Sequence, residues 1–113
     1  MPFIDSKISI PVSREERENL KADLGRAISI VNKPEGFLML GFEDNYDLYM
    51  GGKKLDKGAF VSVKLSGSAS AREYNAMTAE ICRIFKERLG IPGSAVYITY
   101  QGINDWGWDG KNF

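Results

Sequence analysis

The chain has 113 residues, the usual length of one domain, and its fifteen basic and fifteen acidic residues cancel. That balance supplies no field that would draw nucleic acid or an anionic membrane surface, and 43% hydrophobic with 12% aromatic residues is the composition of a folded protein. There is no histidine, and Cys82 is the one cysteine, which excludes an intramolecular disulfide, a C-x-x-C redox pair, a Ser-His or Cys-His nucleophile and a cysteine-rich zinc site. Acid–base chemistry near neutral pH is left to carboxylates, Lys, Tyr, Cys or an α-amine.

The start, Met1-Pro2-Phe3-Ile4-Asp5, has neither a basic n-region nor a long apolar h-region. No run reaches the roughly 18 apolar residues of a spanning helix, so the expected compartment is the cytosol. Phe3 to Ile8 has strand character. Ser13-Arg14-Glu15-Glu16 is a capping box, in which Ser caps the third amide and Glu reaches back. The helix it opens carries Leu20, Leu24, Ala27, Ile28 and Val31 on one face and stops at Asn32-Lys33-Pro34. A strand from Phe37 to Phe42 follows, then a turn-like acidic stretch from Glu43 to Asp47. Leu48-Tyr49-Met50 reads as a short strand before a turn at Gly51-Gly52-Lys53-Lys54. Such an edge strand can extend a neighbour's sheet.

The same unit then recurs. Phe60 to Leu65 repeats Phe3 to Ile8, and Ser70-Ala71-Arg72-Glu73 repeats the capping box, each 57 residues on. The second helix carries Tyr74, Met77, Ile81, Ile84, Phe85 and Leu89 on one face and stops at Gly90-Ile91-Pro92, with Gly90 suited to a left-handed position. A strand from Ala95 to Tyr100 follows. The two prolines, Pro34 and Pro92, stand 58 residues apart.

The chain is therefore β-α-β written twice, with pseudo-repeats of about 2–56 and 59–113 in one domain spanning 1–113. Right-handed crossovers make this an α+β fold: a four-stranded mixed sheet with both helices on one face. The opposite face is left uncovered. Yet Phe37-Leu38-Met39-Leu40 and Ala95-Val96-Tyr97-Ile98 are apolar at consecutive positions, as in strands buried on both faces, so an identical neighbour is expected to cover them.

Four features taken together resemble the macrophage migration inhibitory factor family over essentially the whole chain. They are the Met-Pro-Phe-Ile start, Lys33-Pro34, Val96-Tyr97-Ile98 and the closing Trp106-Gly107-Trp108-Asp109-Gly110-Lys111-Asn112-Phe113. The resemblance implies a homotrimer with keto–enol tautomerase activity on a small aromatic 2-oxo acid such as phenylpyruvate, and neither cofactor nor metal. Pro2 is the implied catalytic residue: once Met1 is removed its secondary amine serves as base and then as acid. Lys33, otherwise a favourable cation at a helix C-terminus, matches the lysine that pairs with the substrate carboxylate and helps keep the proline neutral. Tyr97, otherwise a strand aromatic, matches a pocket tyrosine supplied by an adjacent subunit. Ile103, Trp106, Trp108 and Phe113 match the apolar wall, and Ser66-Gly67 the backbone segment that contacts the carboxylate.

This sequence also departs from the family pattern. Ser66 replaces an aliphatic residue, Thr99 a pocket asparagine and Phe37 a pocket tyrosine, which puts the substrate preference in doubt more than the chemistry. The C-x-x-C motif of animal members is missing, and Cys82 reads as a small core residue. A second reading stays open, a cytokine-like ligand for a host receptor, released without a signal peptide as some relatives are. Neither reading involves nucleic acid or a membrane.

Overall fold

Ser13 and Ser70 each accept a hydrogen bond from the amide three residues on, at 3.1 Å, and Glu16 and Glu73 each accept one from the capping serine's own amide, at 2.8 Å. Two capping boxes thus start α1 (Arg14–Ala27) and α2 (Ala71–Leu89) in the same way. In this computed structural model residues 1–112 are described, so the wall position expected of Phe113 lies outside the described residues. α1 tightens into a 3-10 turn over Ile28–Val31 and ends at Asn32 in the left-handed region, φ 60°. α2 runs straight to Gly90, φ 69°. In both cases the proline two residues later prevents the helix from resuming.

Four strands form one sheet: β1 (Pro2–Ile8), β2 (Met39–Glu43), β5 (Ala59–Ser66) and β6 (Val96–Ile103), in the order β2-β1-β5-β6. β1 runs parallel to β2 and β5 parallel to β6, each pair joined through a helix, while β1 and β5 pair antiparallel at the centre. The expected mixed sheet with both helices on one face is the observed fold. Ile4 and Ile8 of β1 and Val61, Val63 and Leu65 of β5 point into the helix layer and are buried. They meet Leu20, Leu24 and Ile28 of the first helix segment and Met77, Ile81 and Phe85 of the second. Each such fully buried side chain stabilises the fold by about 1.5–3 kcal/mol before entropy is counted. The other sheet face carries Met39 at 67% exposure and Tyr97 at 60%.

Several expected boundaries move: Glu43 belongs to β2, Leu48 lies outside the short strand that follows, and the last strand of the sheet runs on to Ile103. Phe37 and Ala95 are not strand residues; each closes a 3-10 turn, Glu35–Phe37 and Gly93–Ala95, that the preceding proline initiates. The strands begin after those turns. Lys53 and Lys54 are not turn residues either. They form β4, paired with β3 (Tyr49–Met50) around Gly51-Gly52, both at positive φ, the conformation of a two-residue hairpin turn. A second hairpin of the same kind, β7 (Gly107–Trp108) and β8 (Lys111–Asn112), turns at Asp109-Gly110. No helix among the described residues is long and apolar enough to cross a membrane.

Candidate active site

Pro2 opens β1 and is buried. Its partner across the antiparallel ladder is Leu65, which places it beside the end of β5. There the chain leaves the sheet: the Ser66 amide donates to the Met1 carbonyl at 2.9 Å, and the Gly67 amide donates to the Ile103 carbonyl at 2.8 Å. Gly67 sits at φ 82°, and its carbonyl occupies the space that a Cβ on Gly102 would need. Glycine at both positions therefore lets the end of β5 lie directly against β6. Ser66, Ile103 and the N-terminus meet at one end of the sheet.

Lys33 comes to the same end from the helix layer. Its Nζ stands 3.8 Å from where a Cβ on Gly67 would be. The loop that carries it is held down by Glu35, whose carboxylate fills the space a side chain at Gly25 of α1 would take. The Met1 ammonium is pushed below the usual α-amine range, first by burial and then by the charge of Lys33. With Met1 present the nitrogen of Pro2 is an amide and carries no basic lone pair.

A cavity of about 410 Å³ opens at this end of the sheet, with Pro2, Phe37, Ile103, Trp106 and Trp108 in its wall. Phe37 and Trp108 meet edge to face, ring centroids 5.9 Å apart, which fixes one side of the aromatic wall. The chain thus brings Pro2, Phe37, Ile103, Trp106 and Trp108 into one cavity, while Ser66, bonded to Met1, and Lys33, beside Gly67, lie at the same end of the sheet without lining the cavity. Tyr97 and Thr99 are not among them. In the ladder Tyr97 pairs with Phe60 and Thr99 with Ser62, whereas Gly102 pairs with Leu65, the partner of Pro2. Tyr97 therefore lies roughly 17 Å along the strand from the Pro2 end. It lines a second hollow, of about 250 Å³, under the β3–β4 hairpin with Tyr49 and Met50.

Phe3, Met39, Gly107 and Lys64 also line the cavity and are not among the expected site residues; of these Lys64 alone is charged. Lys64 stands on the open face of β5 opposite Phe3 and Gln101. The alternation of β5 was enough to place it on the face away from the helices; nothing in the sequence said that the cavity opens there. No group of His, Cys, Asp and Glu suited to a metal ion occurs among the described residues.

The sequence model of the family described as Macrophage migration inhibitory factor (MIF) matches residues 1–113. The chain belongs to that family. Its fold superposes on the crystal structure of MIF2 from Leishmania major with a TM-score of 0.93 at 30% identity, over 100% of this chain and 97% of that one. A MIF homologue from Prochlorococcus marinus gives 0.88 at 23% identity, covering 98% of each chain. A further neighbour, Pt0534 inactivated by 2-oxo-3-pentynoate, gives 0.84 at 16% identity over 97% of this chain and 94% of that one. A search of curated proteins finds no significant match.

Proposed function

We propose that this MIF family member is a tautomerase that interconverts the keto and enol forms of an aromatic 2-oxo acid such as phenylpyruvate. The observation that carries the reading is the burial of Pro2 in an aromatic-walled cavity beside Lys33, where the N-terminal amine is already held below its ordinary range. Removal of Met1 transfers that amine to Pro2, which is more deeply buried than Met1. A neutral secondary amine then takes the proton from the carbon next to the carbonyl. The C–H bond breaks, a C=C bond forms, and the ammonium delivers the proton to the carbonyl oxygen, so one residue acts as base and acid. Lys33 holds the carboxylate, and Ile103, Trp106 and Trp108 pack on the ring. That a neighbour of the same fold is inactivated by a 2-oxo acid is in keeping with this substrate class.

Tyr97 and Thr99 enter the same reading through assembly. Far from Pro2 in their own chain, they reach a cavity when the exposed Tyr97 face packs on the Pro2 end of another copy, and a homotrimer closes that arrangement. Two measurements test the proposal. Light scattering at micromolar concentration is expected to return three times the chain mass; a stable monomer would sink the assembly. An extra residue ahead of Pro2, which makes its nitrogen an amide, is expected to lower turnover of phenylpyruvate by about 10²–10⁴-fold while the trimer persists. Equal turnover by the extended and processed proteins would remove Pro2 from the mechanism and favour the ligand reading.

A further inference from the structure

Lys64 and Lys7 occupy the same place in the two halves, 57 residues apart, but their surroundings differ. Lys7 is neutralised: its Nζ lies 3.2 Å from Asp5 and sits over the Tyr46 ring. At the place of Asp5 the second half has Ser62, so Lys64 has no such acid on its own strand and forms no ion pair among the described residues. It is also the one charged side chain among the described residues lining the Pro2 cavity, whose other side chains are apolar or aromatic.

Two cations therefore reach the Pro2 end of the sheet by different routes. Lys33 arrives from the helix layer beside Gly67, and Lys64 from the open face two residues before Ser66. A single carboxylate next to the reacting carbonyl engages the first. The second faces an aromatic cavity in whose wall, among the described residues, no group carries the opposite charge. Lys64 is exposed, and an acidic group on a ligand lying in that cavity can gain a charge-assisted hydrogen bond from it.

Building on the tautomerase reading, we propose that Lys64 is a second anion seat, and that the preferred substrates are aromatic 2-oxo acids carrying another acidic group at the far end of the ring. The 2-oxo carboxylate binds Lys33, the ring lies between Phe37 and the tryptophans, and the distal acid meets Lys64. Lys64 thereby determines specificity and takes no part in proton transfer.

The test compares phenylpyruvate with 4-carboxyphenylpyruvate on the processed protein, by kcat/KM and by calorimetric Kd, in the natural chain and in Lys64→Met and Lys64→Arg. The natural chain is expected to favour the diacid about tenfold, with the preference weakening as salt rises. Lys64→Met should bring the ratio between the two compounds close to one, and Lys64→Arg should restore most of it. Equal handling of the two compounds by the natural chain, or a preference that survives Lys64→Met, overturns the proposal. If neither compound is turned over but the diacid still binds tighter in a Lys64-dependent way, the anion seat stands and the tautomerase reading falls.

Discussion

The two halves of the chain share a backbone and differ in what hangs from it. Asn32 and Gly90 both end their helices in the left-handed region, Pro34 and Pro92 both follow two residues later, and both prolines lead into a 3-10 turn. Met39 and Tyr97 then stand exposed on the open face at matching places. Between these fixed points the side chains part. Where the first half has Lys33, the second has Ile91, fully buried; where the first has Phe37, at the cavity, the second has the buried Ala95. Duplicating the unit built the scaffold twice, but the cavity walled by Phe37 and the tryptophans forms at the Pro2 end, while Ala95 and Tyr97 line only the smaller hollow under the β3–β4 hairpin. Position in the fold fixes what a residue can reach, and the side chain decides whether that place serves the core or the site.

The largest effect is expected where that contrast is erased. Lys33→Ile copies the residue of the second half. It removes the charge-assisted partner of a substrate carboxylate, and KM for phenylpyruvate should rise about tenfold or more. Lys33 also lowers the pKa of the N-terminal amine, so its loss should move the rising, low-pH limb of the kcat/KM profile to higher pH. A change in KM with no change in the profile would confine Lys33 to substrate binding. Unchanged kinetics on both counts would return it to the role of a cation at a helix end.

Much of this plan was legible in the sequence, because local rules and long-range packing agree. Ser13 and Ser70 cap as their spacing predicts, and the apolar faces of both helices are buried. The legible part ends where chemistry depends on meeting points between distant segments. Phe37 sits in an apolar run that reads as strand, yet Pro34 imposes a turn first and that turn delivers the ring to Trp108. The Asp109-Gly110 pair carries a hairpin signal, but nothing local says that this hairpin forms a cavity wall for Pro2. Tyr97 and Thr99 carry no local mark of distance from Pro2; only the strand register reveals it.

A smaller effect is expected from the ion pairs on the helices, which again repeat with one difference. Arg26 pairs with Asp23 in the first helix as Arg83 pairs with Glu80 in the second, each three residues on. Only Asp23 receives a second arginine, Arg88 from the other helix, whose Nε donates to it at 2.7 Å, and only Asp23 is buried, at 8% exposure. The Arg88 hydrogen bond, against the opposing effect of burial, holds the Asp23 carboxyl below the usual aspartate range. A depressed folded-state pKa contributes stability that is complete above the unfolded value and is lost as pH falls through the folded one. Asp23→Asn should therefore cost about 1–2 kcal/mol at neutral pH, discounted for the solvent around both arginines. The deficit relative to the natural chain should shrink below about pH 4. Glu80→Gln, on the more exposed pair, should cost less when both are followed by urea unfolding. Equal costs would mean that the cross-helix arginine adds nothing.

The smallest effect tests the comparison inside the core itself. Ser6 of β1 stands where the second half has Val63, and both side chains point into the helix layer with essentially no exposure. Val63 fills its place with methyl groups. The Ser6 hydroxyl, in contrast, finds no hydrogen-bond partner among the described residues, so the first half carries a desolvated polar group that the second does not. Leaving a buried hydroxyl unmatched costs about 1–3 kcal/mol, and Ser6→Ala removes that cost while giving up only one small atom of packing. Copying Val63 outright would add volume to a filled space and risk strain of comparable size, so alanine is the cleaner probe. Ser6→Ala is therefore expected to raise stability by about 1 kcal/mol, read as a higher urea midpoint with an unchanged slope at one fixed protein concentration. A lower midpoint would mean that the hydroxyl is satisfied in solution, by a buried water bridging to the backbone. The contrast between the halves would then be one of solvation rather than of an unmet bond.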